Sequence, residues 1–228
     1  MAAVTLDWIQ GQVAALVDQN EVTTSISSAD YSLRLNFINR SLHEWAQVRD
    51  WDCLYTEYNT QTSLITNNAS IALPTNFRKL ASFPKIVHTG NQLDTFPEVL
   101  PINDNQFSDS DRRVQIIGTN RLGYTMLVKG QSLQSGASIM VPYYFSPQSL
   151  ASPANIADIP DPDYLVQKTV AYLWQGREDP RFPQAMADAD RILMNMVEYE
   201  TVTSRAAQHD SVRTVEETRS QFRWGRDT

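Results

Sequence analysis

The spacing of apolar residues changes period twice along this chain, and that change constrains the fold more than any other feature. Between residues 28 and 50 the apolar positions recur at alternating steps of four and three, which is one face of a helix: Tyr31, Leu35, Ile38, Leu42 and Trp45. From about residue 53 to residue 145 short runs of β-branched and aromatic residues alternate with turn residues. Helical spacing then returns. Helices, then strands, then helices predict an α+β protein.

Two helices are predicted before the strands. The first covers 5–18, although Gly11 costs about 1 kcal/mol against alanine there, and its apolar positions are Leu6, Ile9, Val13, Leu16 and Val17. The second begins at Ser28, a residue type that caps helices, and ends near Asp50. Its solvent-facing side is predicted to carry Arg34, Arg40, Glu44 and Arg49.

Two more helices are predicted after the strands. Asp163 is expected to cap the third, whose apolar positions include Leu165, Val166, Val170, Leu173 and Trp174. The last helix begins at about Pro183 and presents Met186, Ala189, Ile192, Leu193 and Met196 on one face. Together with the N-terminal pair, these helices predict a bundle into which the β-rich segment is inserted.

Six strands are expected in the middle of the chain. The stretch 53–73 reads as two strands around a turn at Asn67 and Asn68, and Pro74 closes the second strand. The other four runs are 84–88, 114–117, 124–129 and 138–145. The resulting organisation is N-terminal helices over 1–52, a β-rich insertion over 53–150, C-terminal helices over 151–200 and an extended arm over 201–228.

Charge and composition exclude several classes of protein. The 228 residues are 42% hydrophobic and carry a net charge of −7, which argues against a broad surface that grips nucleic acid. Cys53 is the single cysteine, so neither an internal disulfide nor a cysteine-based zinc site is possible. No apolar run reaches the roughly 18 residues of a membrane helix, and the N-terminus lacks a secretory signal. An intracellular protein is expected.

The catalytic signatures that we searched for are absent from the sequence. Ser132 stands in a near match to the G-x-S-x-G elbow that fails at its last position, and neither glycine-rich phosphate loop occurs. The three histidines, His43, His88 and His209, are far apart and are expected to be solvated or hydrogen-bonded. No catalytic residue and no cofactor is therefore predicted.

Two clusters of aspartates are the remaining candidates for chemistry. Asp104, Asp109 and Asp111 resemble a calcium loop but lack its glycine and closing glutamate. Asp158, Asp161 and Asp163 flank two prolines before a helix, where carboxylates favour the helix N-terminus. A solvated loop and a helix cap are the predictions, with no metal site. Paired carboxylates for acid–base work stay open as the alternative.

The last 28 residues differ in composition from the rest of the chain. They contain few aliphatic residues and many charges, so we expect them to be disordered alone or to order only against a partner. Arginine and aromatic residues anchor protein interfaces, and the segment ends with Arg219, Phe222, Arg223, Trp224 and Arg226. These five are the predicted partner-binding residues. A protein partner is favoured over nucleic acid because nearby acidic residues dilute the positive charge.

The order of these segments resembles a known family. The likeness covers about residues 28–200 and rests on the runs INRSLHEWAQVRDWDCLYTEY, ASIALPTNFRKLASF, IMVPYYFSPQSL, DIPDPDYLVQKTVAYLW and DPRFPQAMADADRIL. In this order the runs resemble the head–tail adaptor (connector) proteins of tailed bacteriophages. The patterns are soft ones and include no catalytic signature.

The resemblance implies a virion structural protein rather than an enzyme. Members of that family form a ring, usually of twelve copies, beneath the portal protein, where the ring extends the DNA channel and presents a docking platform for tail proteins. DNA passes through the bore without specific binding, and no cofactor or membrane is involved. The C-terminal arm is expected to reach the portal. The alternatives are a tail-completion or stopper protein and, more remotely, a small hydrolase.

Overall fold

A computed structural model describes residues 4–18, 28–61, 69–87, 93–95, 98–100, 113–119, 121–129 and 138–221. Over these residues the chain contains four helices and strands that pair mainly antiparallel, which confirms an α+β protein. The elements are α1 (Leu6–Asp18), α2 (Ser28–Val48), β1 (Tyr55–Gln61), β2 (Ala69–Ala72), β3 (Phe77–Leu80), β4 (Lys85–Val87), β5 (Leu93–Thr95), β6 (Glu98–Leu100), β7 (Arg113–Thr119), β8 (Gly123–Lys129), β9 (Ser138–Phe145), α3 (Asp163–Gly176) and α4 (Phe182–Gln221).

The chain divides into two compact units. The helical unit comprises Met1–Trp45 together with Ser149–Thr228, and the β unit comprises Ala46–Gln148. In sequence, the β unit therefore interrupts the helical unit. The boundary at residues 45 and 46 falls inside α2, so one helix contributes residues to both units.

Helix α3 is the central element of the helical unit. It packs against both α1 and α4, and it buries most of its own length: Tyr164, Leu165, Val166, Thr169, Val170, Ala171, Tyr172 and Leu173. Helix α2 fully buries Ile38, Leu42 and Trp45, as its spacing predicts, whereas Leu35 is half-buried. The apolar positions of the sequence therefore identify the core of this unit well.

Two positions in these helices differ from the prediction. Leu16 is 38% exposed, because it lies about 100° around the helix axis from the buried Val17 and therefore at the margin of the buried face of α1. Arg34 is only 4% exposed rather than solvent-facing. It lies one helical turn before Ile38 and so shares the buried face of α2.

The β unit consists of two sheets. The first has the order β1-β9-β4-β5, with β3 also paired to β9, and the second has the order β2-β8-β7-β6. All pairs are antiparallel except β6 with β7. Side chains from both sheets form one buried cluster, which includes Phe77, Ile86 and Ile139 from the first sheet and Val114 and Met126 from the second. The unit is thus two sheets joined through a shared apolar core.

The six predicted strands are present, but their pairing is not the predicted one. The two strands of 53–73 do not form a hairpin: β1 pairs with β9, and β2 pairs with β8 in the other sheet. Alternation along a strand specifies which face is buried, not which strand lies beside it. Three further strands, β3, β5 and β6, have only three or four residues, too few to show a period.

A true hairpin joins β7 to β8. Gly118 adopts a φ of +125°, and a Cβ atom placed there would lie 2.1 Å from the carbonyl oxygen of Gly123. Only glycine allows this approach. The turn signal at this point of the sequence therefore has a direct structural cause.

The C-terminal segment differs from its prediction as well. Helix α4 has 40 residues and continues to Gln221, so residues 201–221 are helical rather than extended. The physical reason is the lack of any proline or glycine between Pro183 and Gly225, which leaves nothing to end the helix early. Proline near the first position of α4 is itself favourable.

Candidate partner-binding surfaces

The predicted partner-binding residues lie at or beyond the end of α4. Arg219 is part of this helix. Phe222, Arg223, Trp224 and Arg226 lie outside the described residues. The structure therefore places one of the five on an element, and the grouping of the others stays a prediction.

The start of α4 is fixed firmly to α3. A short turn connects the two helices, and in it Arg181 pairs with Asp179 at 2.8 Å and lies with its guanidinium 4.3 Å from the centre of the Trp174 ring. Hydrogen bonds from the side chain and backbone of Arg181 lower the pKa of Asp179 to about 2. The carboxylate therefore stays ionised, and the turn keeps its shape, at ordinary pH.

Helix α4 is much longer than the helix it packs on. It has 40 residues and α3 has 14, which at 1.5 Å per residue correspond to roughly 60 Å and 21 Å. Met196 of α4 is buried in the helical unit. From Met196 to Gln221 the backbone continues for roughly 40 Å as helix, and it carries Arg219 near its end.

The outer side of α1 exposes large apolar residues beside one acidic residue, Asp7. It bears an α1 face that consists of Trp8, Gly11, Gln12, Ala15 and Leu16, all exposed. The opposite side of the helix buries Leu6, Ile9 and Val13. Helical surfaces that face only water normally carry charged residues, so this face has the character of a surface that another protein covers.

A second exposed surface runs along α4. This α4 face consists of Ala187, Arg191, Met194, Asn195, Glu198 and Tyr199. Met194 is 64% exposed and Tyr199 is 74% exposed. Both faces escaped the sequence analysis, although Trp8 and Met194 carry a signal: each is a large apolar residue out of phase with the apolar stripe of its own helix.

A polar network connects α2, α3 and α4. The hydroxyl of Tyr172 donates a hydrogen bond to Glu44, and the Nε of Arg40 donates to the same carboxylate at 2.8 Å. The guanidinium of Arg40 lies 4.3 Å from the centre of the Tyr172 ring. Lys168 lies beside them, with its Nζ 3.7 Å from Asp190. The network thus connects α2 to α3 through the Tyr172–Glu44 hydrogen bond and α3 to α4 through the Lys168–Asp190 ion pair.

The titration of this network suits a structural role. Burial opposes ionisation of Glu44, but hydrogen bonds from Tyr172 and Arg40 outweigh it and hold the pKa of the carboxyl below its usual value. Burial, and then the hydrogen bond to Glu44, raise the pKa of Tyr172 to about 12. Tyr172 thus keeps its proton and donates, and Glu44 stays ionised and accepts. Neither is poised for proton transfer near neutral pH.

In the β unit, Arg78 of β3 closes the end of α2. It donates to the carbonyl oxygens of Ala46 and, at 3.3 Å, Arg49, and it pairs with Asp50 at 2.7 Å. Lys79 pairs with the other oxygen of Asp50. Helix α2 has no basic residue in its own last turn, so Arg78 supplies the positive charge that the C-terminal end of the dipole favours.

Among the remaining candidates for chemistry, His43 and Asp161 have structural partners, and several others lie outside the described residues. His43 Nε2 lies 2.9 Å from the hydroxyl of Ser149. Asp163 does not cap α3 as predicted, because it is the first residue of the helix and Pro162 occupies the N-cap position; the backbone N–H of Asp163 donates to the carboxylate of Asp161 at 3.0 Å. Asp104, Asp109, Asp111 and His88 lie outside the described residues. Within the described ranges, no three acidic, histidine or cysteine residues are grouped to hold a metal ion.

Comparison of the chain with protein-family models and with curated proteins finds no match. No helix in the described part of the chain combines the length and the apolar character that a membrane span requires.

Proposed function

We propose that this chain is a structural protein of a tailed bacteriophage, a head–tail adaptor that forms a ring between the portal protein and the tail. In this role twelve copies extend the DNA channel and offer tail proteins a docking platform. The protein acts at the head–tail junction of the virion after assembly in the host cytoplasm. It is not an enzyme and needs no cofactor.

The length of α4 is the observation that carries the proposal. A helix that continues for roughly 40 Å past the buried Met196 has Arg219 near its end, and the other C-terminal arginines and the two aromatics follow it in sequence. A helix that extends this far is better suited to contact another protein than to stabilise its own chain. We propose that Arg219, Phe222, Arg223, Trp224 and Arg226 bind the portal at the end of this arm.

The architecture supports the same role. We propose that α1 to α4 form the helical bundle of the adaptor and that the β unit is its insertion, which matches the order of segments in the resembling family. The net charge of −7 also suits a ring around DNA. Like charge on a bore avoids the lysine and arginine contacts to phosphate that would hold the DNA in place.

The test is assembly with the portal protein encoded in the same genome. The two purified proteins are mixed, sedimented and imaged by electron microscopy. We expect the 25.8 kDa chain to join the portal as a coaxial ring. A small hydrolase would sediment as a monomer or dimer and ignore the portal. That result, together with absence of the chain from purified virions, would refute the proposal.

A further inference from the structure

We propose that the outer edge of β1 binds an extended segment of a tail protein, which adds to the first sheet as a further strand and places a lysine or arginine opposite Glu57. The inference rests on the proposed function for the identity of the partner, and it assigns the docking platform to one edge of the β unit. Backbone hydrogen bonds and one charge pair provide the recognition.

Strand β1 is the longest strand at an edge of either sheet in the described part of the chain. It has seven residues and pairs there only with β9, in an unbroken register. The other strands with an open side, β2, β3, β5 and β6, have three or four residues. Short length, lysine, proline and bulges are the features that protect an exposed edge from pairing, and β1 has none of them.

The register of β1 with β9 shows which backbone groups face outward. The N–H of Ala81 donates to the carbonyl oxygen of Pro142 at 3.0 Å, so Pro142 directs its backbone toward β3 and β4 and away from β1. Opposite residues of an antiparallel pair exchange both hydrogen bonds or neither, so Glu57, which lies opposite Pro142, exchanges none. The backbone groups of Glu57, and of Asn59 two residues later, therefore point away from β9.

The side chains of β1 specify the pattern of the strand that would join it. Glu57 and Asn59 are exposed, whereas Tyr58 between them is half-buried and packs against the buried cluster of the β unit. Successive side chains of a strand point to opposite faces of the sheet. An added strand that alternates apolar and polar residues would therefore extend the cluster beside Tyr58 and leave its polar residues beside Glu57.

Charge favours a different protein over a second copy as the occupant. Glu57 is the one charged residue of β1. Its carboxylate accepts a hydrogen bond from the hydroxyl of Tyr55 at 2.7 Å, and no lysine or arginine in the described ranges pairs with it. Opposite charges on facing strands stabilise a sheet and like charges destabilise it. A second copy would bring another Glu57 to the same junction, whereas a basic segment would supply the missing cation.

The decisive variant is Asn59→Pro. It removes an N–H that points away from β9, so the sheet keeps its own hydrogen bonds and the melting temperature should change by only a few degrees. The added strand loses a hydrogen bond, so binding of the full chain to purified tail proteins of the same genome should fall at least tenfold. Asn59→Thr keeps the N–H, suits a strand and should bind like the wild type. Equal binding by Asn59→Pro and the wild type would overturn the proposal.

Two synthetic peptides test the charge pair without any tail protein. Both have seven residues of alternating valine and threonine, and the central threonine is replaced by lysine in one and by glutamate in the other. At low salt, calorimetric titration of the full chain should show at least fivefold tighter binding of the lysine peptide. Glu57→Gln should remove this preference. Equal affinity of the two peptides for the wild-type chain would overturn the charge pairing.

Amide hydrogen exchange identifies the occupant of the edge. In the free chain the N–H of Tyr58, which faces β9, should exchange slowly, and the N–H groups of Glu57 and Asn59 should exchange fast. Saturation with the tail protein or the lysine peptide should slow exchange at Glu57 and Asn59 at least tenfold. Slow exchange at these two positions in the dilute free chain would overturn the proposal. Protection that rises with the concentration of the chain alone would make a second copy the occupant and overturn it as well.

Failure of this inference differs visibly from failure of the proposed function. If the chain joins portal and tail, and Asn59→Pro does so equally well, the adaptor role stands and the tail binds another surface. If the edge binds the lysine peptide as expected but the chain ignores both portal and tail proteins, the adaptor role is wrong, and so is the tail protein as the partner of β1.

Discussion

Leu42 is fully buried in the helical unit, one turn after Ile38 and in line with Trp45. Its place on the buried face of α2 could be predicted from the spacing of apolar residues alone, because a helix repeats every 3.6 residues. The burial of Arg34 could not be predicted in the same way, because charged side chains are rarely fully buried. Residue identity predicts burial well for aliphatic side chains and less well for arginine.

Leu42→Ala should lower the free energy of unfolding by about 2–5 kcal/mol, because it removes buried methyl groups and leaves a cavity. Chemical denaturation of the isolated chain measures this. The control is Leu33→Ala, at an exposed position on the same helix, which should change stability by less than about 0.5 kcal/mol. Equal effects at the two positions would place Leu42 outside the core.

Gly118→Ala should destabilise the chain more than Gly123→Ala. Both glycines have a positive φ, but only a Cβ at Gly118 meets backbone atoms, 2.1 Å from the oxygen of Gly123. The alanine at Gly123 pays only the conformational cost of about 1–2 kcal/mol. Thermal melts of the two variants compare them directly, and an equal loss would show that the hairpin relaxes around the added methyl group.

Among the elements, α1 and α2 were predicted with their approximate ends, α4 continues past its predicted end, and strand partners were not predicted. Spacing located α2 and α3, because each carries its own periodic stripe over many residues. Which sheet β1 and β2 join depends on contacts with β9 and β8, which lie far away in sequence. Local pattern holds no information about those partners.

The hydrogen bond between Glu44 of α2 and Tyr172 of α3 should make the free energy of unfolding depend on pH in the acidic range. The pKa of Glu44 is lowered in the folded state, so its contribution is present above the unfolded value, near 4.3, and is lost as the pH falls through the folded value. Glu44→Gln should therefore be less stable than wild type at pH 7, and the difference should shrink below about pH 4. Glu198→Gln, on the exposed α4 face, is the control. If the stability difference between wild type and Glu44→Gln were the same at all pH values, ionised Glu44 would not be a source of pH-dependent stability.

At the scale of the whole molecule, the sequence predicted the α+β class and missed its exposed surfaces. The apolar stripes of the helices were visible, and so was the order of helical and β-rich segments. The α1 and α4 faces were not visible, because a large apolar residue reads as core until its exposure is known. The five C-terminal residues remain a sequence prediction, since four of them lie outside the described residues.

A chain that ends at Glu200 should keep its melting temperature within a few degrees, because it retains the buried α4 positions Ala185, Ala189 and Met196. It should lose binding to the isolated portal. Trp224→Ala in the full chain should reproduce the loss in part, because an aromatic anchor contributes about 2 kcal/mol or more to an interface. Normal numbers of DNA-filled, tailed particles from this variant would contradict the anchor. Aggregation of the shortened chain would place the segment in the core instead.

Because α4 is one uninterrupted helix, any insertion into it changes both its length and the direction in which its last turn points. Each residue inserted after Met196 advances the tip by about 1.5 Å and rotates it by about 100°. Insertions of seven or eleven residues restore the original direction closely, and an insertion of two residues turns the tip to nearly the opposite side. A series of alanine-rich insertions should therefore give portal binding that rises and falls with the helical repeat. A steady decline of portal binding with insertion length would mean that something other than this helix orients the portal-binding residues.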